Sequence, residues 1–212
     1  FVAMSAGRYR LNASDQMNKR PMRELLRALE ELGARFTWLG EPYRFPMEVY
    51  GMGQRYGEYR VQLNIDQSSQ FLSALLMTAP TAIDMLTIEL TGKRSARSYV
   101  EMTEHMMCQF GHSGVLKHEA DCYQVRRGDY EAREYVVEPD VSAACYFYAA
   151  AAVTGGSTVV RFMKKDSLQG DMRFYWNRWA VPSSGDTWKK PASRHLRSPD
   201  RLMGCYMVLI SI

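Results

Sequence analysis

Apolar residues recur at three- and four-residue spacing between Pro21 and Gly33, at Met22, Leu25, Leu26, Leu29 and Leu32. That spacing predicts an amphipathic helix, with Pro at its first position and Gly as its stop. From Gly57 to Asp66 the period changes to two, as in a half-buried strand. A second helix is expected from Ser68-Ser69-Gln70 through FLSALLMTA to Pro80; it is apolar nearly all round and so suits a buried layer. Met85 to Leu90 reads as the next strand.

The same order then returns. Ser98-Tyr99 opens a helix that stops at Gly111, and Tyr99 to Gly111 is 12 residues, as is Pro21 to Gly33. Strands are expected at Cys122–Arg126 and Glu134–Glu138. Asp140-Val141-Ser142 opens another apolar helix, AACYFYAAAAV, ending at Gly155-Gly156, and a strand is expected over Ser157–Met163. Tyr99 to Ser142 spans 43 residues, Pro21 to Ser69 spans 48. The chain therefore reads as two copies of one α/β module, each too long for a solenoid repeat.

Composition narrows the classes. The 212 residues are 46% hydrophobic, 24% charged and 12% aromatic, which excludes disorder, collagen-like repeats and a disulfide mini-protein. The longest apolar run, Ala143–Val153, is 11 residues, well short of the roughly 20 a membrane helix needs. The chain opens at Phe1, with no basic segment before an apolar one, so no secretory signal is expected. Cys108, Cys122, Cys145 and Cys205 have neither C-x-x-C nor His at ligand spacing. Cys108 and Cys145 lie in apolar helical runs and read as buried inert thiols, which fits a cytoplasmic protein without metal.

Charge is uneven. Residues 1–174 balance, and the whole formal +4 falls in residues 175–212, with three of the four Trp. A basic tail can bind nucleic acid, but three Trp and a final apolar MVLISI are unlike such an arm. Periodicity also fails there, which predicts an unmatched tail, out of frame or disordered.

Candidate chemistry sits at helix starts. Arg20-Pro21 places a guanidinium where free N–H groups and the positive dipole end favour a phosphate or carboxylate; the plain alternative is a solvated Arg near Asp15 or Glu24. Ser68, Ser69 and Gln70 offer two hydroxyls and an amide where a cap uses one Ser, so cap and anion site both stand. Tyr99 and Asp140 open the later helices, and capping is the simplest role for Asp140. The four histidines, His105, His112, His118 and His195, lack a Ser or Cys nucleophile in a catalytic setting, and no phosphate-binding glycine motif or H-E-x-x-H occurs.

Five stretches, RPMRELLRALEELGA, SSQFLSALLMTAP, SYVEMTEHMMCQFG, YVVEPDVSAACYFYAAAAVTGG and SLQGD, resemble successive motifs of the 3-phosphoshikimate 1-carboxyvinyltransferase (EPSP synthase) family, in its order, over about Gly7 to Phe174. The resemblance implies an inside-out α/β fold of repeated βαβαββ units, about two of them present. It implies residues 1–139 as part of an N-terminal domain and 140–174 as the crossover into a second. It further implies enolpyruvyl transfer from phosphoenolpyruvate to shikimate 3-phosphate, in aromatic amino-acid biosynthesis, with no cofactor or metal. By motif, Arg20 would bind phosphoenolpyruvate, Ser68 and Ser69 shikimate 3-phosphate, Gln70 would lie between the two, Tyr99 would be a shikimate-side aromatic, and Asp140 would stand near the crossover.

The chain also departs from the family. Ala96 stands where the family has Ser, with Ser95 the nearest hydroxyl; Ser98 stands for Pro, and Pro139 for the Gly of V-E-G-D. The motifs carrying the family's base and catalytic Lys are not found, so no catalytic residue is assigned. The expectation is a partial site with negligible turnover, in a fragment that self-associates through uncovered strand edges where the family is usually monomeric. Two rival readings are a UDP-N-acetylglucosamine enolpyruvyl transferase, against which S-S-Q-F and R-P-M speak, and a non-catalytic anion- or partner-binding protein.

Overall fold

The chain begins with a strand carrying little apolar alternation, β1 (Ala6–Leu11), followed by a single turn, α1 (Asp15–Asn18), capped by the Ser14 hydroxyl. These elements, and all that follow, come from a computed structural model. It describes residues 1–92, 97–112, 115–119, 121–154, 157–161, 168–169, 183–184 and 187–189. Ser95, Ala96, Cys205, His195 and the end of the expected strand at Phe162-Met163 lie outside them.

Helix α2 (Arg23–Glu31) buries Leu26 and Ala28; of the three-four set, Leu26 and Leu32 are buried and Met22, Leu25 and Leu29 half-buried. It starts later than Pro21: Met22 is the N-cap and makes no side-chain cap bond, so the proline stands just outside the helix. Gly33 follows at φ +106°, the left-handed stop that glycine supplies. Arg55 lies against it, where a Cβ would meet Nη2 at 2.3 Å. Strands β2 (Arg35–Trp38) and β3 (Met47–Met52) complete a three-stranded sheet in the order β1-β3-β2, all antiparallel.

Strand β4 (Arg55–Asn64) alternates as its sequence predicts, with Val61 and Leu63 buried and Arg60 and Gln62 exposed. Helix α3 (Gln70–Thr78) and a 3-10 turn at Ala79–Thr81 lead to β5 (Ile83–Thr91), which pairs parallel with β4. Parallel strands need such a crossover. Helix α4 (Arg97–Gln109) then leads to β6 (Val115–Glu119) and β7 (Cys122–Arg126), giving a four-stranded sheet ordered β4-β5-β7-β6.

The internal repeat is visible in this topology. β1–α2–β2–β3 forms a sheet ordered first-third-second, and β5–α4–β6–β7 does the same with the same antiparallel pairings. The segment β4–α3–β5–α4–β6–β7 is one complete βαβαββ unit. Its core is built on α3: Leu72, Leu75 and Leu76 pack in one cluster with Leu63, Leu86, Ile88 and Val125, all at most 1% exposed. Each such side chain contributes about 2 kcal/mol of burial.

One end of this sheet is tied by Arg127. Its guanidinium donates to the Asp84 carboxylate, to Gln54 Oε1, to the Arg55 carbonyl at 3.0 Å and to the Ala82 carbonyl at 3.2 Å. Asp84 Oδ2 also accepts the Gly57 N–H at 2.8 Å, and these two donors hold the carboxyl below its ordinary range. His112, 4% exposed, has Nε2 3.0 Å from the Arg126 carbonyl and packs on Tyr130, so it is a core histidine.

Two compact units divide the chain, Phe1–Tyr135 and Val136–Ile212. In the second, α5 (Val141–Thr154) precedes β8 (Ser157–Val159), which pairs with β10 (Thr187–Lys189), itself paired with β9 (Ser183–Ser184). Two short strands thus fall in the segment whose sequence loses periodicity.

Several expectations are corrected. Glu134–Glu138 forms no strand; Val136 and Val137 are 79% and 80% exposed, and apolar residues without a ladder partner do not make one. α5 is not buried all round, since Tyr146 and Phe147 are each 63% exposed; uniform apolarity hides which stripe faces inward. Cys108 is exposed for the same reason, on the outer face of α4, whereas Cys145 is buried. Cys108, Cys122 and Cys145 are all free thiols.

Candidate substrate site

The parallel pairing of β4 and β5 runs level to its end, where Asn64 pairs with Thr91. Both strands therefore finish at the same edge, and α3 and α4 both start there. This is the position where α/β sheets ordinarily receive ligands. The two loops touch. Gly92 has φ +105°, and a Cβ on it would fall 2.6 Å from Asp66 Oδ1. Asp66 in turn donates its N–H to Asn64 Oδ1 at 2.8 Å, a local turn that fixes the exit from β4.

The two serines at this edge do different work. Ser68 Oγ accepts the Gln70 N–H at 3.2 Å, so it satisfies one of the orphan donors of the first turn. Ser69 occupies the N-cap position with near-helical φ and ψ, and its side chain makes no cap hydrogen bond. Both are half-buried, and the Gln70 side chain is exposed beside them. Tyr99, in the first turn of α4, is 47% exposed. A hydroxyl, an amide and a phenol are thus brought to one sheet edge at the positive ends of two helices.

One turn below, the helices are tied. Thr103 Oγ1 lies 2.8 Å from Ser73 Oγ and 2.9 Å from the Tyr99 carbonyl oxygen. Neither residue stands out in the sequence, although each is four residues beyond a candidate, Ser69 and Tyr99, and so on its helical face.

Arg20 is exposed, between α1 and α2. Among the described residues no hydrogen bond or ion pair joins it to Ser68–Gln70 or Tyr99, so geometry leaves its role open. In the second unit, Asp140 caps α5: its Oδ1 accepts the N–H of Ser142 at 2.8 Å and of Ala143 at 3.2 Å. Gln169, from the SLQGD stretch, donates to the Pro139 carbonyl at 2.8 Å and accepts the Val141 N–H at 2.7 Å. It brackets Asp140 from both sides, a role the sequence alone does not announce. Among the described residues no three His, Cys, Asp or Glu side chains group where a metal could sit, and no helix is long and apolar enough to cross a membrane.

One complete βαβαββ unit beside a related three-stranded sheet, with polar groups gathered at the helix starts of one sheet edge, defines an α/β protein built from a repeated module. A sequence model described as EPSP synthase (3-phosphoshikimate 1-carboxyvinyltransferase) matches residues 1–178. The 3-phosphoshikimate 1-carboxyvinyltransferase of Trichormus variabilis is 41% identical over 173 residues, which is 81% of this chain and 40% of that protein. The protein of the same name from Marinomonas sp. is 38% identical over 178 residues, again 40% of its length. Among solved structures, EPSP synthase from Acinetobacter baumannii superposes with a TM-score of 0.65 at 20% identity, over 89% of this chain and 44% of that one. The chain belongs to the EPSP synthase family, and it spans about two-fifths of the length of the curated relatives it matches.

Proposed function

We propose that this chain provides the shikimate 3-phosphate side of an enolpyruvyl-transfer site, the reaction in which phosphoenolpyruvate and shikimate 3-phosphate combine with loss of phosphate. One observation carries the reading: Ser69 stands at a helix N-cap with its hydroxyl unused by the helix, at the edge where Tyr99 also emerges. A cap that does not cap is a poor stabiliser and a ready donor.

In this reading Ser69 donates to the phosphate of shikimate 3-phosphate, Ser68 holds the first turn and shares the anion, and Gln70 reaches between the two substrates. Tyr99 packs against the carbocycle, and Asp140 stands at the crossover. Arg20 neutralises phosphoenolpyruvate, which agrees with its exposed guanidinium and open coordination. Charge on two phosphates and a carboxylate dominates the energetics of such a step, so positioned donors do most of the catalytic work. The groups that move protons are not assigned to any residue of this chain, and these 212 residues alone are expected to bind without appreciable turnover.

Calorimetric titration tests this directly. Saturable binding of shikimate 3-phosphate, stronger than that of inorganic phosphate or of UDP-N-acetylglucosamine and lost in Ser68→Ala/Ser69→Ala, is the expected result. Equal affinity for plain phosphate would favour a general anion-binding protein. Preference for the UDP-sugar would favour the sister transferase. Phosphate release that depends on both substrates would overturn the absence of turnover.

A further inference from the structure

We propose that the partly buried hydroxyl pair Ser73–Thr103 is a positioning device that sets the distance between the two helix starts carrying Ser69 and Tyr99. The inference rests on the reading that shikimate 3-phosphate is held by both starts at once.

Thr103 Oγ1 is within hydrogen-bond distance of two acceptors, Ser73 Oγ at 2.8 Å and the Tyr99 carbonyl at 2.9 Å, but it has one proton. The carbonyl can only accept. The consistent arrangement is a relay in which Ser73 donates to Thr103 and Thr103 donates to the Tyr99 carbonyl. That relay runs from α3 across to the backbone of Tyr99, the residue that is 47% exposed in the first turn of α4.

The neighbouring turns of both helices carry apolar core residues. Leu72, Leu76, Val100 and Met107, each at most 2% exposed, belong to one core cluster, and Thr103 is itself 8% exposed. Apolar packing is non-directional and does not by itself prescribe one pair distance. A hydrogen bond does, because its length is fixed within a few tenths of an ångström and breaking it leaves the buried Thr103 hydroxyl poorly matched. Ser73 and Thr103 each lie four residues into the helix from Ser69 and Tyr99. Residues at that spacing share a face, so the faces joined by the relay are the ones that carry the two candidate contacts, one turn above.

The test separates a ligand that spans both starts from one that touches a single start. Thr103→Val keeps the shape and removes the hydroxyl; Thr103→Ser restores it. In Thr103→Val the affinity for shikimate 3-phosphate is expected to fall about tenfold, as for a displaced contact, with that for inorganic phosphate unchanged and Thr103→Ser near wild type. Unaltered shikimate 3-phosphate affinity, equal loss for both ligands, or failure of Thr103→Ser to rescue would overturn the proposal. If the wild-type chain binds no shikimate 3-phosphate, the functional reading fails and the relay is judged without ligand. Spin labels at Gln67→Cys and Glu101→Cys, with the exposed Cys108→Ser, report the spacing of the helix starts. A distance distribution that broadens in Thr103→Val supports the relay, and one that stays the same refutes it.

Discussion

The two ends of the four-stranded sheet are made from the same strands and differ in what their polar groups do. At the end where β4 and β5 begin, Arg127 spends four of its five donors on Asp84, Gln54 and two backbone carbonyls, and the Tyr56 ring lies 5.5 Å from its guanidinium. At the end where β4 and β5 finish, the Ser69 hydroxyl makes no cap bond and Gln70 and Tyr99 face solvent. The first end turns most of its polar groups inward on one another, although Arg55 Nε is buried there without a partner among the described residues. The second leaves polar groups unmatched over a rigid base, which is what a binding edge requires. Polarity alone does not mark a site; unused polarity on a fixed support does.

The sharpest way to break this contrast is to remove what both ends share. Leu72 is 0% exposed in α3, and Leu72→Ala should cost about 3 kcal/mol. Thermal midpoint and shikimate 3-phosphate affinity should fall together; affinity lost at an unchanged midpoint would mean that the ends do not rest on one core. Arg127→Ala comes next. It leaves the Arg55 carbonyl and Gln54 without their donor, for a loss of about 2 kcal/mol. Ligand affinity in the folded protein should stay within about twofold. Ser69→Ala is the mirror image: affinity should drop about tenfold, the value of one hydrogen bond to an anion, while the midpoint moves by less than about 1 °C because no cap bond is lost. Chemical denaturation and calorimetry on the same three variants decide all of these.

The helices were legible because apolar residues recur at three- and four-residue spacing: in and around α2 Leu26 and Leu32 are buried with Leu25 and Leu29 half-buried, and in α3 Phe71, Leu72, Leu75 and Leu76 are buried. The repeat was legible too, since spacing survives even where residues change. Several strands were not: β1, β2, β3 and β6 went unread, whereas β4, itself at a sheet edge, was read from its alternation. In β1 no residue is fully buried, so its AGRYRL carries no alternation to read. Apolar composition also misled in the other direction at Val136-Val137 and at Tyr146-Phe147, where exposure depends on what lies alongside and not on the residues themselves. Of the candidate site, Ser68-Ser69-Gln70 could be singled out as more polar than a cap needs. Which serine is spare could not, because that is decided by backbone angles at Ser69 and by the Gln70 N–H choosing Ser68. The Ser73–Thr103 pair joins residues 30 apart in sequence, and Gln169 reaches back 28 to Val141. Such pairings are products of the fold.

Smaller effects should appear as pH dependence, and they too divide by end. Asp84 is held below its ordinary carboxyl range, first by the Gly57 N–H and then by Arg127. A depressed carboxyl contributes stability above its unfolded value near 4, and that contribution is lost as pH falls through the folded value. Asp84→Asn should therefore flatten the acid limb of stability below about pH 4. Shikimate 3-phosphate affinity at neutral pH should not follow, because the clamp is at the far end.

The smallest effect expected lies at alkaline pH and comes from Tyr130. Its hydroxyl donates to the Met77 carbonyl at 2.9 Å, pinning the last turn of α3. Burial pushes the phenol up to about 12, because the charged form would lose its hydration against the core. A raised value means that the stabilising contribution is complete below the unfolded phenol value near 10 and is lost as pH climbs through the folded one. Wild-type stability should thus decline between about pH 10 and 12, and Tyr130→Phe, which cannot ionise, should decline less over that window. The substitution also removes the bond to Met77, so its stability at pH 7 should be slightly lower than wild type and the two curves should converge as pH rises. Parallel curves would place the phenol's titration outside the core. A loss of ligand affinity at pH 7 in Tyr130→Phe would show that the clamped end of α3 does communicate with the open one, and the independence of the two ends would have to be given up.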